Sequence, residues 1–579
     1  MSRDAVVVAA IDFGTTYSGW AFSFKHEFKS DPIKVSAKTW TGGQLVSSKG
    51  PTCVLIKPDG RTLAAFGYEA ESRYADLAEE EKHVNWFFFR RFKMMLYGKI
   101  GMQRDILLKD ATGKELPAKT VFSLSIKFLR DDMLAMSQQR LAGDGLADNE
   151  VHWVLTVPAI WNDAAKQFMR EAAEEAGIPS DQLTIALEPE AASLYCRHLP
   201  VEKNKGSKAA SLAQFKTGTK YMVLDCGGGT VDITVHEVAN GGHLKELHKA
   251  SGGAWGGTKV DDAFFTFLQK LVGAPVLKTF MTQHMDDYID IFRDFEIKKR
   301  DVAPSRDNKV TFRIPIALLD VFYDMTDETL KQVIPQTRYA GMITLTGDKM
   351  RIDASVVKSF FKESVDSIVE HLGNLFREPS VAGCAAIVMV GGFSESPMLQ
   401  ETIKIQFPDV RVIIPDEAGL AILKGAVIFG HCPNIISERI SKYTYGVACS
   451  QTYMQGIHPP DRKTLNEDGE EEVDDIFSVH VRAGQKLDID EVQTARTYSV
   501  GQADQQAMTI QFFATDKTDP MFVDDPGCNR IGIMQVPVPG FGCDRQAKIS
   551  LKFGKTEIEA SVKIVHTSDV SKANINFLG

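Results

Sequence analysis

The sequence lacks three features that would assign it to a common class of protein. Its eight cysteines include no CxxC pair, so the usual spacing of a zinc site or a redox-active dithiol is absent. It contains no run of about 18 consecutive apolar residues, so we expect no transmembrane helix. Acidic residues outnumber basic ones and give a formal net charge of −10, which argues against broad binding to nucleic acid or to an anionic membrane.

The amino terminus also lacks the features of a signal peptide. Its apolar run, residues 6–11, is interrupted by Asp12 and is accompanied by neither a basic region nor a cleavage site. Several cysteines lie inside apolar runs, where a thiol behaves as a small hydrophobic group. Together with a hydrophobic content of 44% and a charged content of 25%, these features predict a packed cytoplasmic protein.

Two segments of the chain share one pattern. They are VVVAAIDFGTTYSG, residues 6–19, and YMVLDCGGGTVDITVHE, residues 221–237. In each, an apolar run ends in an aspartate and leads into glycine and a hydroxyl residue. Glycine lets the backbone approach a ligand closely, and successive N–H groups in such turns bind anions. Either turn alone could be an ordinary β-turn, but the repetition predicts a duplicated α/β domain with a polyanion between its halves.

The two aspartates in this pattern imply a cation. Asp12 and Asp225 each stand at the end of a predicted strand, where a carboxylate would repel a phosphate. Carboxylates are hard oxygen ligands that Mg²⁺ prefers, often through bound water. The sequence therefore predicts Mg²⁺ between these aspartates and the phosphates.

The remaining chain divides into two compositional regions. Strand and helix patterns alternate as far as residue 430, which predicts an α/β fold. From Tyr443, alternating apolar and polar segments predict an all-β domain. We expect a helix over Glu69–Tyr97, in which aromatic and basic residues are interleaved. Such a helix could bind a membrane surface or nucleic acid, or its aromatic residues could form a stripe of the core. The acidic residues that precede it favour the core stripe. The acidic run 466–475 and the basic segment 203–220 are expected to be exposed loops.

Six motifs in chain order bring the sequence close to one family. They are IDFGTTYS (11–18), LTVPAIWND with LEPEAA (155–163 and 187–192), LDCGGGTVDI (224–233), EIKKR (296–300), VMVGGFSESP (388–397) and PDEAGLAILKGAV (415–427). The chain resembles the seventy-kilodalton heat-shock proteins of the actin-like ATPase superfamily over nearly its whole length. The segments FGYEA, VGGFSESP and GIHPP are most similar to the divergent 12A/12B branch of that family.

The resemblance implies a two-lobed, actin-like nucleotide-binding domain of duplicated ribonuclease-H-like units over residues 1–435, with hairpins at 11–19 and 224–232. An all-β sandwich that binds partners or peptides follows over residues 443–579, without a helical lid. The ligands implied are ATP or ADP with Mg²⁺, and the metal residues are Asp12, Asp225 and Asp232. The catalytic residues implied are Asp225, Glu188 and Thr230: Glu188 would hold a metal-bound water, and Asp225 or Thr230 would align the attacking water. The nucleotide-binding residues implied are Gly14, Thr15, Thr16, Tyr17, Gly227, Gly228, Gly229, Thr230, Glu296, Lys299, Arg300, Gly391, Gly392, Phe393 and Asp416.

The sequence departs from the family pattern at two positions of the nucleotide site. Glu71 stands where the family has a lysine that approaches the γ-phosphate, and the loss of one such group typically lowers a rate by about 10²- to 10³-fold. Arg73 or Lys93 is a candidate replacement. Glu395 stands where the family has an arginine that stacks on adenine, so we expect weaker or different contacts with the base, with Phe393 as a candidate.

Two further departures concern the coupling of the domains. The acidic, leucine-rich linker of the family is replaced by NIISERISK, residues 434–442, and the sequence ends at Gly579 with no predicted lid over a peptide groove. We therefore expect a chaperone-related ATP-binding protein in which nucleotide closes the lobes and hydrolysis is slow or absent. The alternatives are a nucleotide-gated adaptor without peptide binding and an active ATPase that uses a substitute lysine.

Overall fold

The protein's structure, a computed structural model, describes residues 5–42, 45–99, 102–140, 146–199, 215–466, 469–489, 491–554, 557–567, 569–575 and 577–578. The chain forms two α/β lobes and a β-rich carboxy-terminal unit. Within these ranges no helix is both long and apolar enough to cross a bilayer. Most of the basic segment predicted as a loop over 203–220 lies outside the described residues.

Lobe I, residues 5–199, is built on a six-stranded sheet. Its elements are β1 (Val7–Phe13), β2 (Tyr17–Phe24), α1 (Lys25–Ser30), β3 (Ser36–Ala37), β4 (Trp40–Gly42), β5 (Leu45–Ser47), β6 (Gly50–Pro51), β7 (Cys53–Ile56), β8 (Leu63–Phe66), α2 (Tyr68–Glu79), β9 (Phe87–Arg90), β10 (Leu107–Lys109), β11 (Glu115–Pro117), α3 (Ala118–Arg140), β12 (Val151–Val157), α4 (Asp163–Glu175), β13 (Leu183–Leu187) and α5 (Glu188–His198). The strand order is β13-β12-β1-β2-β3, with β6 beside β2. β1 runs parallel to β12 and antiparallel to β2.

The helix predicted over Glu69–Tyr97 is wrong in its second half. Helix α2 ends at Glu79, and the aromatic run forms strand β9, which pairs with β7. Phe88, Phe89 and Phe92 are buried, so the aromatic residues do form core, as the preceding acidic residues favoured. Consecutive bulky aromatic residues fit a half-buried strand better than one face of a helix, which explains the difference.

Lobe II spans residues 215–440 and contains a seven-stranded sheet. Its elements are β14 (Lys220–Cys226), β15 (Val231–Val238), β16 (Leu244–Gly253), α6 (Thr258–Val272), α7 (Ala274–Gln283), α8 (Met285–Lys299), β17 (Val310–Arg313), α9 (Ile316–Thr326), α10 (Leu330–Val333), β18 (Ile343–Thr346), β19 (Lys349–Ile352), α11 (Ala354–Ser359), α12 (Lys362–Leu375), β20 (Ala386–Val390), α13 (Pro397–Gln406), β21 (Arg411–Ile413), α14 (Ala421–His431) and β22 (Ile436–Ile440). The order begins β21-β20-β14-β15-β16.

The two lobes repeat one topology, as the paired sequence pattern predicted. In each sheet two strands run parallel to the strand that precedes the glycine turn, and the strand after the turn returns antiparallel to it. β14-β15 in lobe II therefore corresponds to β1-β2 in lobe I. The mixed α/β architecture expected from the sequence is confirmed.

Two helices at equivalent places in the repeat pack together between the sheets. α5 follows β13, α14 follows β21, and both belong to one buried apolar cluster with residues of both sheets. A Cβ built on Gly425 would lie 1.7 Å from the carbonyl oxygen of Ala191. Only glycine lets the two helices cross at this separation, so this contact fixes the spacing of the lobes.

The β domain, residues 443–578, carries two sheets around one apolar core. Its strands are β23 (Thr444–Thr452), β24 (Lys463–Leu465), β25 (Glu471–Val481), β26 (Lys486–Asp488), β27 (Arg496–Ser499), β28 (Ala507–Thr515), β29 (Asn529–Pro537), β30 (Gln546–Gly554), β31 (Glu557–Ile564) and β32 (Val570–Asn574). The sheet orders are β24-β25-β23-β28-β29 and β27-β30-β31-β32, and one cluster joins both sheets. The loop expected over 466–475 is wrong from Glu471 onward, where β25 begins.

The segment between lobe II and the β domain is a strand. β22 lies parallel to β16, and β26 of the β domain pairs with its other edge. Arg439 donates to Glu190 at 2.5 Å, and the backbone N–H of Ile440 donates to Glu246 at 2.9 Å. Burial and the nearby Glu190 carboxylate raise the pKa of Glu246 to about 7, against the opposing effects of Ile440 N–H, Arg439 and Lys166.

Candidate functional site

The first glycine turn connects β1 to β2 and admits no side chain at its first glycine. A Cβ on Gly14 would lie 2.1 Å from the carbonyl oxygen of Tyr17. The turn is fixed by Thr52, whose hydroxyl donates to the Gly14 carbonyl at 2.8 Å and lies 2.8 Å from the Ser18 hydroxyl. The backbone around Thr15 and Thr16 is thereby held in one conformation before any ligand arrives.

The second glycine turn, between β14 and β15, touches the first. A Cβ on Gly228 would lie 2.2 Å from the Thr16 hydroxyl, and one on Gly229 would lie 2.5 Å from the Thr15 hydroxyl. The two hairpins therefore face each other as the repeated pattern predicted. Glycine is required at these positions because the opposing hydroxyl groups fill the space of a side chain.

A third glycine-rich segment, SGGAWGGTK (251–259), supports the second turn. The N–H groups of Gly256, Gly257 and Thr258 donate to the carbonyls of residues 229, 227 and 228 at 3.2, 3.1 and 2.8 Å. These bonds tie the second hairpin to the segment that leads into α6. The sequence showed the glycine density of this segment but not its role.

A cavity of about 490 Å³ lies between the two turns. The predicted residues that line it are Asp12, Gly14, Thr15, Thr16, Tyr17, Glu188, Gly227, Gly228, Gly229, Thr230, Glu296, Lys299, Arg300, Gly391, Gly392, Phe393 and Asp416. Asp225 and Asp232 do not line it and lie buried beside it. The fold thus brings segments from across almost 400 residues of sequence to one site.

The carboxylates beside the cavity strongly influence one another. Asp225 and Asp232 are cross-strand partners on β14 and β15. Burial, followed by the charges of Glu188, Asp232 and Asp12, raises the pKa of Asp225 well above its usual range. Burial also raises the pKa of Asp232. For Asp12, burial acts in the same direction, but Lys49 and other donors outweigh it and lower the pKa.

These carboxylates fit a divalent cation held through water. Oδ1 of Asp225 and Oδ2 of Asp232 are buried, and neither has a hydrogen-bond partner among the residues that the structure describes. Four carboxylates, those of Asp12, Glu188, Asp225 and Asp232, share the region with two ammonium groups. Among the described residues no group of three His, Cys, Asp or Glu side chains is placed to ligate a metal directly, so water would have to complete the coordination, as Mg²⁺ commonly requires.

Lys93 is the buried cation opposite the second turn. Its ammonium donates to Glu188 at 2.7 Å, and it lies 5.1 Å from the ring centroid of Trp161. Both Lys93 and Glu188 line the cavity. Burial raises the pKa of Glu188 to about 7 although Lys93 opposes the shift. Lys93 therefore brings an ammonium group to the wall of the cavity that both glycine turns line.

Glu71 does not occupy the position that the resemblance suggested for it. It is absent from the cavity lining and is buried in an ion-pair cluster outside it, accepting from Arg90 at 3.2 Å and from Arg293 at 3.0 Å. Arg73 is half-exposed and pairs with Glu69. Of the two candidate replacements for the family lysine, only Lys93 reaches the cavity.

The opposite end of the cavity carries residues of α8. Glu296 accepts from Arg300 at 3.0 Å and pairs with Lys299, which donates to Asp261 at 2.7 Å. Burial would raise the pKa of Glu296, but Lys299 and Arg300 lower it. Glu296 and Lys299 of α8 and Arg300, which directly follows the helix, are already paired.

Glu395 and Phe393 lie beside the same end of the cavity. Glu395 accepts a hydrogen bond from the Gly419 N–H at 3.2 Å. Phe393 is buried and packs on Phe361, with ring centroids 6.5 Å apart. Both phenylalanines line the cavity, so a flat apolar surface is present where the sequence lacks the family arginine.

Sequence reasoning missed Ser47, Ser48 and Lys49. All three line the cavity, and Lys49 donates to Asp12 at 2.5 Å. The segment VSSKGP carries no recognisable motif. Only the pairing of β6 with β2, which joins Gly50 to Ser18, brings it to the first turn.

Comparisons with known proteins agree with this geometry. The profile of the family described as "Hsp70 protein" matches residues 124–286. The chain is 34% identical to heat shock 70 kDa protein 12A of Mus musculus, over 99% of this chain and 92% of that protein. It is 33% identical to heat shock 70 kDa protein 12B of Homo sapiens, over 99% and 91%, and 25% identical to the chaperone protein dnaK of Guillardia theta, over 76% and 63%.

Proposed function

This chain belongs to the Hsp70 family, and on that premise we propose that it binds ATP or ADP with Mg²⁺ in the cavity between its lobes and hydrolyses ATP slowly. One observation carries the proposal: two glycine turns face each other across a cavity of about 490 Å³. Their N–H groups would bind the phosphates, and Asp12, Asp225 and Asp232 would hold Mg²⁺ through water. Bound Mg²⁺ would neutralise the charge of the transferred phosphoryl group.

We assign the role of the family lysine to Lys93. Its ammonium lies on the phosphate side of the cavity, paired with Glu188 at 2.7 Å. Glu188, whose pKa is raised by burial to about 7, could accept a proton from a water that Asp225 and Thr230 help to orient. Because Lys93 is committed to Glu188, only part of its charge is available to the phosphates, which supports slow rather than rapid turnover.

Isothermal titration with Mg-ATP tests the binding, and a single-turnover assay tests the role of Lys93. We expect saturable binding by the full-length chain. Lys93→Met should lower the hydrolysis rate by about 10²- to 10³-fold, the usual cost of losing one such electrostatic group. Lys57→Met, at an exposed lysine, serves as the matched control. The absence of saturable binding would refute the proposal, and equal rates would remove Lys93 from the reaction.

We further propose that nucleotide state controls how the β domain contacts partner proteins. Ile160 donates its N–H to Asp232 at 2.8 Å, and its carbonyl accepts from Lys442 at 2.5 Å. Tyr445 of the β domain donates to Asp163 at 2.8 Å. A single residue, Ile160, therefore lies between a proposed metal residue and Lys442, which directly precedes the β domain, so ligand binding at Asp232 would bear directly on this contact.

A nucleotide-gated adaptor that does not capture extended peptides is a second candidate, favoured by the covering of one sheet edge. Phe477 N–H donates to Met521 at 2.9 Å, and Val523 N–H donates to Asp475 at 2.8 Å. These bonds place residues 521–523 along this edge of β25. Extended peptides often bind by adding to a free strand edge, and here the chain itself occupies that edge. Anisotropy of a labelled apolar peptide decides between the candidates: ATP-sensitive saturation by the full-length protein refutes the adaptor, and no saturation supports it.

The location and the partners of the protein are proposed from its cysteines and its charge. We propose a cytoplasmic location, supported by eight cysteines that form no disulfide. The partners proposed are ATP and proteins or peptides that contact the β domain, with no role for nucleic acid, in keeping with the net charge of −10.

A further inference from the structure

We propose that Lys49 binds the terminal phosphates of the nucleotide and supplies positive charge that a divalent cation would otherwise provide, so that nucleotide binding depends only weakly on Mg²⁺. The inference rests on the proposed function, because it requires a nucleotide in this cavity. It concerns a residue to which neither the motifs nor the family resemblance assigned a role.

Lys49 pairs with Asp12, a proposed metal residue, at the wall of the cavity. Its ammonium donates to Oδ2 of Asp12 at 2.5 Å, and its side chain is 14% exposed. It lines the cavity together with Thr15 and Thr16 of the first glycine turn. An ammonium has three N–H donors, and in the part of the chain that the structure describes, Asp12 is the acceptor recorded for this one. Two donors therefore remain for phosphate oxygens.

The local backbone is built to bring this lysine to the first turn. β6 pairs with β2 so that Gly50 lies opposite Ser18, which places Lys49 directly before the paired residues. A Cβ on Gly19 would lie 3.2 Å from Cγ of Lys49 and 3.2 Å from the carbonyl oxygen of Ser48. The bare backbone of Gly19 thus leaves room for the aliphatic stem that carries the charge to Asp12.

The hydrogen bonds of Asp12 explain why the lysine would replace part of the role of the cation. Oδ1 of Asp12 accepts from Thr156 at 2.9 Å, and Oδ2 accepts from Lys49. Both oxygens already have protein donors, whereas Oδ1 of Asp225 and Oδ2 of Asp232 have none. The water-bound cation would therefore depend more on Asp225 and Asp232 than on Asp12, whose charge Lys49 already neutralises in part.

Lys49 and Lys93 are paired with different carboxylates. Lys93 is paired with Glu188 and packs over Trp161, whereas Lys49 is paired with Asp12 on the first hairpin. A lysine ammonium is a compact point charge on a flexible stem, so it can contact Asp12 and a phosphate oxygen together. Two tethered ammonium groups at one phosphate site reduce the charge that Mg²⁺ must neutralise.

Isothermal titration of the full-length protein with ATP, in saturating Mg²⁺ and in excess EDTA, tests the inference. We expect wild type to lose less than about tenfold in affinity when Mg²⁺ is removed, and Lys49→Met to lose about 100-fold or more, a difference of roughly 1.4 kcal/mol per factor of ten. Lys49→Arg keeps the charge and should retain most of the EDTA-resistant binding. Lys57→Met should behave as wild type.

The outcomes separate this inference from the function on which it rests. No binding by wild type in Mg²⁺ refutes the proposed function itself. Binding in Mg²⁺ that disappears in EDTA, or an equal Mg²⁺ dependence in wild type and Lys49→Met, refutes the role of Lys49 and leaves the proposed function intact. A one-to-one stoichiometry for Lys49→Met in Mg²⁺ confirms that the variant is folded.

Discussion

Replacing Arg439 by methionine tests whether strand β22 is held on helix α5 of lobe I by one buried ion pair. Arg439 is 15% exposed and Glu190 is 1% exposed, with 2.5 Å between the paired atoms. Methionine keeps much of the apolar stem, so the change removes the charge with little loss of packing. Glu190 would then remain buried without its partner.

The expected cost follows from the burial of Glu190. Removing one member of a buried pair typically costs about 3–5 kcal/mol. Burial already raises the pKa of Glu190, although Arg439 opposes it, so the orphaned carboxylate can take up a proton and limit the loss. We therefore expect about 3 kcal/mol, which corresponds to roughly a 100-fold increase in the opening equilibrium of β22.

Native-state hydrogen exchange on peptides that cover residues 436–440 measures this opening. Protection of β22 should fall by about 100-fold in Arg439→Met and recover largely in the double variant with Glu190→Gln, because no unpaired charge is then buried. Exchange in β30 and β31, on the far sheet of the β domain, is the internal control. Unchanged protection of β22 in the single variant would refute the argument and assign docking to backbone pairing alone.

Three further changes test other parts of the structure. Gly425→Ala should lower the free energy of unfolding by more than about 3 kcal/mol, because its Cβ would lie 1.7 Å from a carbonyl oxygen. Gly373→Ala, with open space around the new Cβ, should instead raise the free energy of unfolding by about 0.5–1 kcal/mol. Chemical denaturation of the two variants measures both changes. The pKa of Glu246 is raised to about 7, so its contribution to the docking of β22 is full below pH 4.5 and is lost as pH rises through 7. The protection of β22 against hydrogen exchange should therefore fall over that range. Glu246→Gln should flatten the pH profile of this protection. Glu71→Lys should destabilise the fold rather than increase ATP turnover, because it would place a third cation between two arginines; a rise in turnover with unchanged stability would contradict this.

Much of the nucleotide-binding unit could be predicted from the sequence because local pattern and chemistry coincide there. The glycine turns need residues without a Cβ where the opposing hydroxyls of Thr15 and Thr16 approach, so the requirement is visible in the sequence itself. The repeated strand order follows from the same pattern. The alternation of strands and helices as far as residue 430 was also recognisable from the sequence pattern.

The side chains that the sequence missed, or whose place it left open, depend on long-range packing. Lys93 lies in a segment expected to be helical, and only the pairing of β9 with β7 brings the following turn under the second hairpin. Lys49 reaches Asp12 because the two-residue strand β6 pairs with β2, and a strand of two residues leaves almost no periodic signal. The register suggested by Gly67 and Ala70 placed Glu71 at the phosphates, but the fold buries it between two arginines.

The first turn of α5 connects the nucleotide site to the linker strand. Glu188 accepts from Lys93 in the cavity, and Glu190, two residues later, accepts from Arg439 of β22. Pro189 between them has no N–H and a fixed φ, so this turn is stiff. The same helix crosses α14 with no space for a side chain at Gly425. A shift of Glu188 on ligand binding would therefore move Glu190 as well, and because the crossing blocks sliding of the helix, the strain would fall on the ion pair with β22.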